Sequence, residues 1–254
     1  MPQPYSARSR AIEPFHVMAL LARANELQAA GHDVIHLEIG EPDFTTAEPI
    51  VKAGQAALAA GKTRYTAARG LPELREAISG FYQQRYGLSI DPGRILITPG
   101  GSGALLLATS LLVDPGKHWL LADPGYPCNR HFLRLVEGAA QLVPVGPEVR
   151  YQLTPDLVAQ HWNEDSVGAL VASPANPTGT LLRRDELAAL STSLKARDAH
   201  LVVDEIYHGL TYGTDAASVL EVDNDAFVLN SFSKYFGMTG WRLGWLVAPE
   251  AAIG

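Results

Sequence analysis

The chain has 254 residues, 47% hydrophobic and 19% charged, the balance of a folded globular protein and not of a disordered one. Its net charge of -7 argues against a nucleic-acid or anionic-membrane surface. The single cysteine, Cys128, excludes an intramolecular disulfide and fits a reducing, cytoplasmic setting.

Arg8 and Arg10 precede a semi-apolar run, 15–24. That run carries His16 and Arg23 and lacks a small-residue cleavage site, so no signal peptide is expected. No run approaches the length of a membrane span, and no repeat or block of like charge is evident. Residues 15–30 read as a helix closed by Gly31, with Phe15, Met18, Leu21 and Leu27 on one side. Val34 to Ile39 reads as a short strand that runs into a turn at Gly40-Glu41-Pro42-Asp43-Phe44. Residues 47–60 suit a helix ended by Gly61. Gly61-Lys62-Thr63 has the tail of a phosphate-binding loop, but Ala56 stands where that loop needs glycine, so Gly61 is read as a helix cap. Residues 72–86 suit a helix with Pro72 in its first turn and Gly87 just past its end.

From there a pattern recurs. Apolar runs at 94–98, 118–122, 167–173, 200–204 and 226–231 read as buried strands. Helical segments at 102–113, 127–137, 154–162 and 184–197 lie between most of them, the third opened by Thr154-Pro155. The alternation predicts an α/β fold with a mostly parallel sheet sandwiched by helices. Ligands of such sheets bind beyond the carboxyl ends of the strands, so the residues that follow each run are informative.

After 94–98 come Gly101, Ser102 and Gly103, which open a helix. Glycines admit a ligand to backbone N–H groups, and a helix N-terminus favours an anion such as phosphate. After 118–122 comes Tyr126, held between Gly125 and Pro127 and suited to stacking on a flat ring. After 167–173 comes Asn176, with both a donor and an acceptor to offer. Asp204 ends its apolar run, where an unpaired carboxylate would be costly; a pyridinium nitrogen would be a partner, and Tyr207 lies three residues on. After 226–231 come Ser233 and Lys234. The lysine has no acidic neighbour in its loop and is flanked by Phe232, Tyr235 and Phe236. Desolvation of its ammonium would lower its pKa and make the amine a nucleophile for a Schiff base. Arg242, eight residues further, offers a fork for phosphate. Each feature alone has an ordinary explanation as a turn, a cap, a packed ring or a surface charge. Together, at the strand ends of one sheet, they are the parts that pyridoxal 5'-phosphate requires.

From about Ile12 onward the chain resembles a class I/II aminotransferase of the fold-type I pyridoxal-phosphate superfamily. The resemblance rests on Gly-Glu-Pro-Asp-Phe at 40–44, Arg-Tyr-Thr at 64–66 with Gly70, and Asp-Pro-Gly-Tyr-Pro at 123–127. It rests equally on Asn-Pro-Thr-Gly at 176–179, Asp-Glu-Ile-Tyr at 204–207, and Ser-Phe-Ser-Lys at 231–234 with Arg242. It implies that Lys234 forms the internal aldimine and shuttles the proton, and that Asp204 pairs with the ring nitrogen. Tyr207 and Asn176 would bond the phenolate oxygen, and Tyr126 would stack on the ring. Gly101, Ser102, Gly103, Ser231 and Arg242 would hold the phosphate, with Ser233 in the same cofactor-binding set. Tyr65 would reach the neighbouring subunit's phosphate in a homodimer. Gly40 and Asn176 would contact the substrate. The implied reaction is ping-pong transfer of an amino group between an amino acid and a 2-oxo acid, with an analogy to the aspartate and 2-oxoglutarate branch. A lyase or synthase on the same fold, or a non-catalytic cofactor-binding fragment, remains open.

The resemblance also divides the chain into an arm and part of a small domain at 1–43, and a cofactor-binding large domain at 44–254. Family members continue past this point into a C-terminal part that completes the small domain and carries the arginine for the substrate carboxylate. No arginine here is assigned that role, so a truncated chain is expected.

Overall fold

In the computed structural model, which describes residues 5–42 and 44–254, the five apolar runs are all strands of one sheet. In chain order the seven strands are β1 (Ile95–Thr98), β2 (His118–Asp123), β3 (Ala139–Pro144), β4 (Ser166–Ala172), β5 (His200–Asp204), β6 (Phe227–Ser231) and β7 (Gly244–Val247). They lie side by side in the order β1-β7-β6-β5-β4-β2-β3. All pairings are parallel except those of β7, which runs antiparallel between β1 and β6. The parallel strands therefore all end on one edge. The first residue of β7, Gly244, pairs with Thr98 and Ser231, the last residues of its two neighbours, so the chain entering β7 crosses that same edge.

Among the described residues these α-helices accompany the sheet: α1 (Ala7–Ala11), α2 (His16–Ala29), α3 (Glu48–Ala59), α4 (Pro72–Tyr86), α5 (Gly100–Leu112), α6 (Asn129–Leu135), α7 (Pro155–His161) and α8 (Arg184–Lys195). Strand side chains alternate between two apolar layers, as a pleated sheet covered on both faces requires. On one face Ile95, Leu120, Val203, Val228 and Trp245 pack with α4, α7 and α8 through Tyr82, Val158, Leu187, Leu190 and Leu194. On the other, Trp119, Leu121, Val202, Leu229 and Leu246 pack with α5 and α6 through Ala104, Leu105, Ala108 and Leu133. Local signals act as read: Thr154 Oγ1 accepts from Leu157 N at 3.3 Å ahead of Pro155, and Gly87 closes α4 with φ of 69°.

Several elements differ from expectation. Val34 to Ile39 is not a strand: among the described residues nothing pairs with it, and Ile35 and Leu37 are 81% and 88% exposed. Alternating apolar residues make a strand only where a partner supplies the ladder. α6 is shorter than 127–137, and α5 begins two residues earlier than expected, so Gly100 to Gly103 form its first turn. On α2, Val17, Leu21, Ala24 and Leu27 are half-buried, whereas Met18 is exposed. Asp43, within the predicted turn and at the predicted domain boundary, lies outside the described residues, as do residues 1–4.

Candidate active site

The edge where the parallel strands end gathers the predicted residues from five loops. After β6 the chain folds into a tight loop, with Gly237 N donating to Lys234 O at 3.0 Å and Met238 N to Phe232 O at 3.1 Å. Phe232 and Phe236, the aromatic neighbours noted in the sequence, turn into the core: their ring centroids are 5.1 Å apart, and Phe232 lies 4.9 Å from Trp245. The loop is thus anchored by aromatic packing and Lys234 is left at the edge. Its Nζ donates to Gly40 O at 2.9 Å and sits 5.8 Å from the centre of the Tyr207 ring.

Burial lowers the pKa of Lys234 below the ordinary lysine value, Glu41 opposes this, and the charge of Arg242 adds to it. The lysine has no acid beside it in sequence, yet the fold brings Glu41 to it across almost the whole chain. Gly40, expected to meet substrate through its backbone, here offers its carbonyl to the lysine.

Asp204 caps β5. Its Oδ1 accepts from Ile206 N at 3.0 Å, and among the described residues no cation pairs with it. Part of its surface is open, but the strand beneath it, Leu201 to Val203, is buried. Desolvation governs, and pushes its carboxyl up to about 6. Tyr207 accepts from Asn176 Nδ2 at 3.2 Å. Burial, then the nearby Asp204, raises its phenol above the usual value. Tyr126 stands edge-on to Phe15, centroids 6.1 Å apart. Burial raises its phenol as well, with smaller contributions from Cys128, Tyr207 and Asp204.

The elements expected to face an anion also meet. The first-turn N–H groups of α5 lack partners within the helix, as at any helix start. Arg242, with φ of 52°, anchors one guanidinium nitrogen on Thr239 O at 2.9 Å. The other points at α5: a Cβ on Gly100 would come within 2.7 Å of it. Gly244 admits the same approach, since a Cβ there would lie 2.6 Å from the Gly100 carbonyl carbon. Ser231 Oγ donates to Leu243 O at 3.0 Å and lies 2.8 Å from Ser233 Oγ, both serines being buried.

Tyr65 is not part of this group. Its side chain is fully exposed. A cavity of about 110 Å³ opens beside Tyr126 and Asn176, lined also by Arg130, Tyr151 and Gln152. Lys234, Asp204 and Arg242 do not line it, and they face the open sheet edge instead. Two groups at the edge went unread in the sequence, Glu205 and His208. They alternate with Asp204 and Tyr207 and are buried beneath them. A charged residue directly after an apolar strand was the signal available.

Residues 32–254 match the family model described as aminotransferase class I and II. The chain is 41% identical over 240 residues to a valine–pyruvate aminotransferase of Mycobacterium tuberculosis, covering 94% of this chain and 62% of that protein. It is 37% identical over 251 residues to a (5-formylfuran-3-yl)methyl phosphate transaminase of Methanocaldococcus jannaschii, covering 98% of this chain and 65% of that protein. The crystal structure of an aminotransferase from Mycobacterium tuberculosis superposes with a TM-score of 0.94 at 40% identity, over 98% of this chain and 65% of that one. The chain thus spans a little under two thirds of the length of these relatives, and their likeness extends through the sheet and every strand-end loop described above. By sequence and by fold, this chain belongs to the aminotransferase class I and II family.

Proposed function

We propose that the strand-end edge binds pyridoxal 5'-phosphate and that the protein moves an amino group between an amino acid and a 2-oxo acid by a ping-pong sequence. The observation that carries this reading is the convergence of Lys234, Asp204, Tyr207, Asn176 and Tyr126 with the α5 N-terminus and Arg242 on one edge.

The residues suit the cofactor in three separate ways. A desolvated carboxyl without a cationic partner, Asp204, matches a ring nitrogen that must stay protonated. An amine whose proton affinity is lowered by burial, Lys234, matches an aldehyde. A guanidinium against a glycine-opened helix start matches a phosphate dianion. When bound, the cofactor supplies an electron sink for the carbanion at the substrate α-carbon. The chain's own residues then have definite tasks. Lys234 Nζ would take the α-proton as general base and return it two atoms along, on the far side of the substrate nitrogen. Asp204 holds a proton on the ring nitrogen. Asn176 and Tyr207 bond the phenolate oxygen, and Tyr126 covers the ring. Ser231 and Ser233 line the phosphate side with Gly101, Ser102 and Gly103.

We divide the chain at 43/44 into an arm and a cofactor domain. The assembly we propose is a homodimer in which Tyr65, unused by its own chain, reaches the neighbouring site. The relatives' names point to different amino donors, so the proposal goes no further than the amino acid and 2-oxo acid class. Borohydride reduction of the pyridoxal-phosphate-loaded protein, followed by peptide mapping, should place the pyridoxyl label on Lys234. A label on Lys117 or Lys195, or no label, would refute the reading.

A further inference from the structure

The turn that presents Asp204 and Tyr207 has a second, hidden side. Along 204–209 two buried residues interrupt partly open ones: Asp204, Ile206 and Tyr207 are partly exposed, while Glu205 and His208 are 0% and 3% exposed. Glu205 Oε1 accepts from Ser218 Oγ and from Val219 N, both at 2.9 Å. His208 Nδ1 lies 2.6 Å from Tyr86 Oη at the end of α4, and His208 N donates to Glu205 O at 3.0 Å. The turn is therefore pinned from behind on both sides of Ile206-Tyr207.

Burial lowers the His208 pKa to about 4 and raises the phenol of Tyr86. Near neutrality the imidazole is uncharged, and Nδ1 and the Tyr86 hydroxyl share one hydrogen between them. Glu205 Oε2 lies 3.7 Å from His208 Nδ1 and is buried without a hydrogen-bond partner among the described residues, while the Ser173 backbone faces the imidazole and opposes part of the effect of burial on it. Apolar side chains would hold a turn at lower cost than polar groups left unpaired. What polar pins add is direction: a hydrogen bond fixes angle as well as distance, which packing alone does not.

The same helix end reaches the lysine loop. Arg85, next to Tyr86, sits 5.5 Å from the centre of the Tyr235 ring, and that ring lies flat on Gly209, where a Cβ would come within 2.3 Å of it. The C-terminus of α4 thus braces both the turn that carries Tyr207 and the loop that carries Lys234.

We propose that His208, held by the Tyr86 hydroxyl, is a positioning residue that sets how Asp204 and Tyr207 face the ring bound at this edge. This rests on the pyridoxal-phosphate reading. Small displacements of groups that bond a reacting ring are costly to its chemistry, while the fold tolerates them. The bond is part-buried and neutral near pH 7, so there it acts without a change of charge.

The test compares the full chain with its His208→Phe, Tyr86→Phe and doubly substituted forms, each loaded with pyridoxal phosphate. Two quantities are read: the pH midpoint of the visible absorption change of the Lys234-bound chromophore, and the thermal midpoint of unfolding. Each single substitution is expected to move the pH midpoint in the same direction, by about half a unit or more. The double form is expected to move it no further than either single one, because both remove the same bond. A falling thermal midpoint with an unmoved pH midpoint, or additive pH shifts, would overturn the proposal. Tyr86→Phe deletes one oxygen and keeps the ring; if His208→Phe does not fold, the shift in Tyr86→Phe alone decides. A wild-type chain that develops no visible band would refute the cofactor reading itself, and this proposal with it.

Discussion

Asp204 shows how one side chain carries both a cost and a use. Its carboxyl ends a buried strand, and desolvation holds its pKa near 6, well above the ordinary carboxylate value. A cationic ring nitrogen would remove that cost, so binding and chemistry share one interaction. Asp204→Asn keeps the acceptor for Ile206 N and the shape but loses the anion. We expect it to retain the cofactor while kcat falls by about 100-fold or more, since the lost charge matters most when the α-proton leaves. Single-turnover release of 2-oxo acid from an amino-acid donor measures this; a near-normal rate would remove Asp204 from its role. The aspartate was legible in the sequence because a carboxylate at the end of an apolar run needs an explanation. Glu205, one residue later, was not: nothing in the sequence says that its side chain points the opposite way, into Ser218 and Val219.

At the scale of the element, legibility followed the length and continuity of the apolar run and the signal that flanks it. β2, β4, β5 and β6 are interior, near-continuous apolar runs, and each was read to within a residue or two of its ends. β1, an edge strand, was marked by the Gly-rich helix start that follows it. β3 went unread: it lies at the other edge, mostly half-buried, with Gln141 and Pro144 interrupting its pattern. β7 went unread because it is four residues long and antiparallel, preceded by a single 3-10 turn at Thr239–Trp241 and not by an α-helix. Yet β7 positions Arg242 at α5. The turn after β5 yields a prediction of its own. Burial raises Glu205 from 4.5 to about 8, so over that range the folded chain binds a proton that the unfolded chain has released. Stability from this group is fully present below pH 4.5 and is lost as pH rises through 8. Glu205→Gln, neutral at every pH and able to accept from Ser218 and Val219, should flatten that loss. Thermal midpoints of the two forms should diverge toward high pH, the variant ending higher by about 3 °C or more at pH 9. Parallel curves would mean that Glu205 ionises freely in the folded chain.

The whole molecule places its reactive edge among surfaces that the chain alone does not use. Thr46 Oγ1 donates to Gly237 O at 2.7 Å and accepts from Trp241 Nε1 at 3.1 Å, which ties the segment ahead of α3 to the lysine loop. At this tie Phe44 and Trp241 are exposed, and elsewhere on the surface Leu58 is exposed and Tyr65 fully so. Exposed apolar side chains beside a reactive-group candidate suit an interface, and a second copy of the chain is the partner we propose. If each site takes Lys234 from one subunit and Tyr65 from the other, two different defects can complement. A Lys234→Ala subunit cannot be labelled by reduction. A Tyr65→Ala subunit in its own homodimer should load cofactor weakly, because a phosphate contact is missing. In a mixed dimer one site carries both defects and the other carries neither. Denaturing an equal mixture and refolding it together should restore tight, reducible loading to about a quarter of all sites, since half the dimers are mixed and each has one intact site. Mixing the two folded homodimers without exchange should restore none. Loading that never exceeds the sum of the separate variants would mean that Tyr65 serves its own subunit or no site at all.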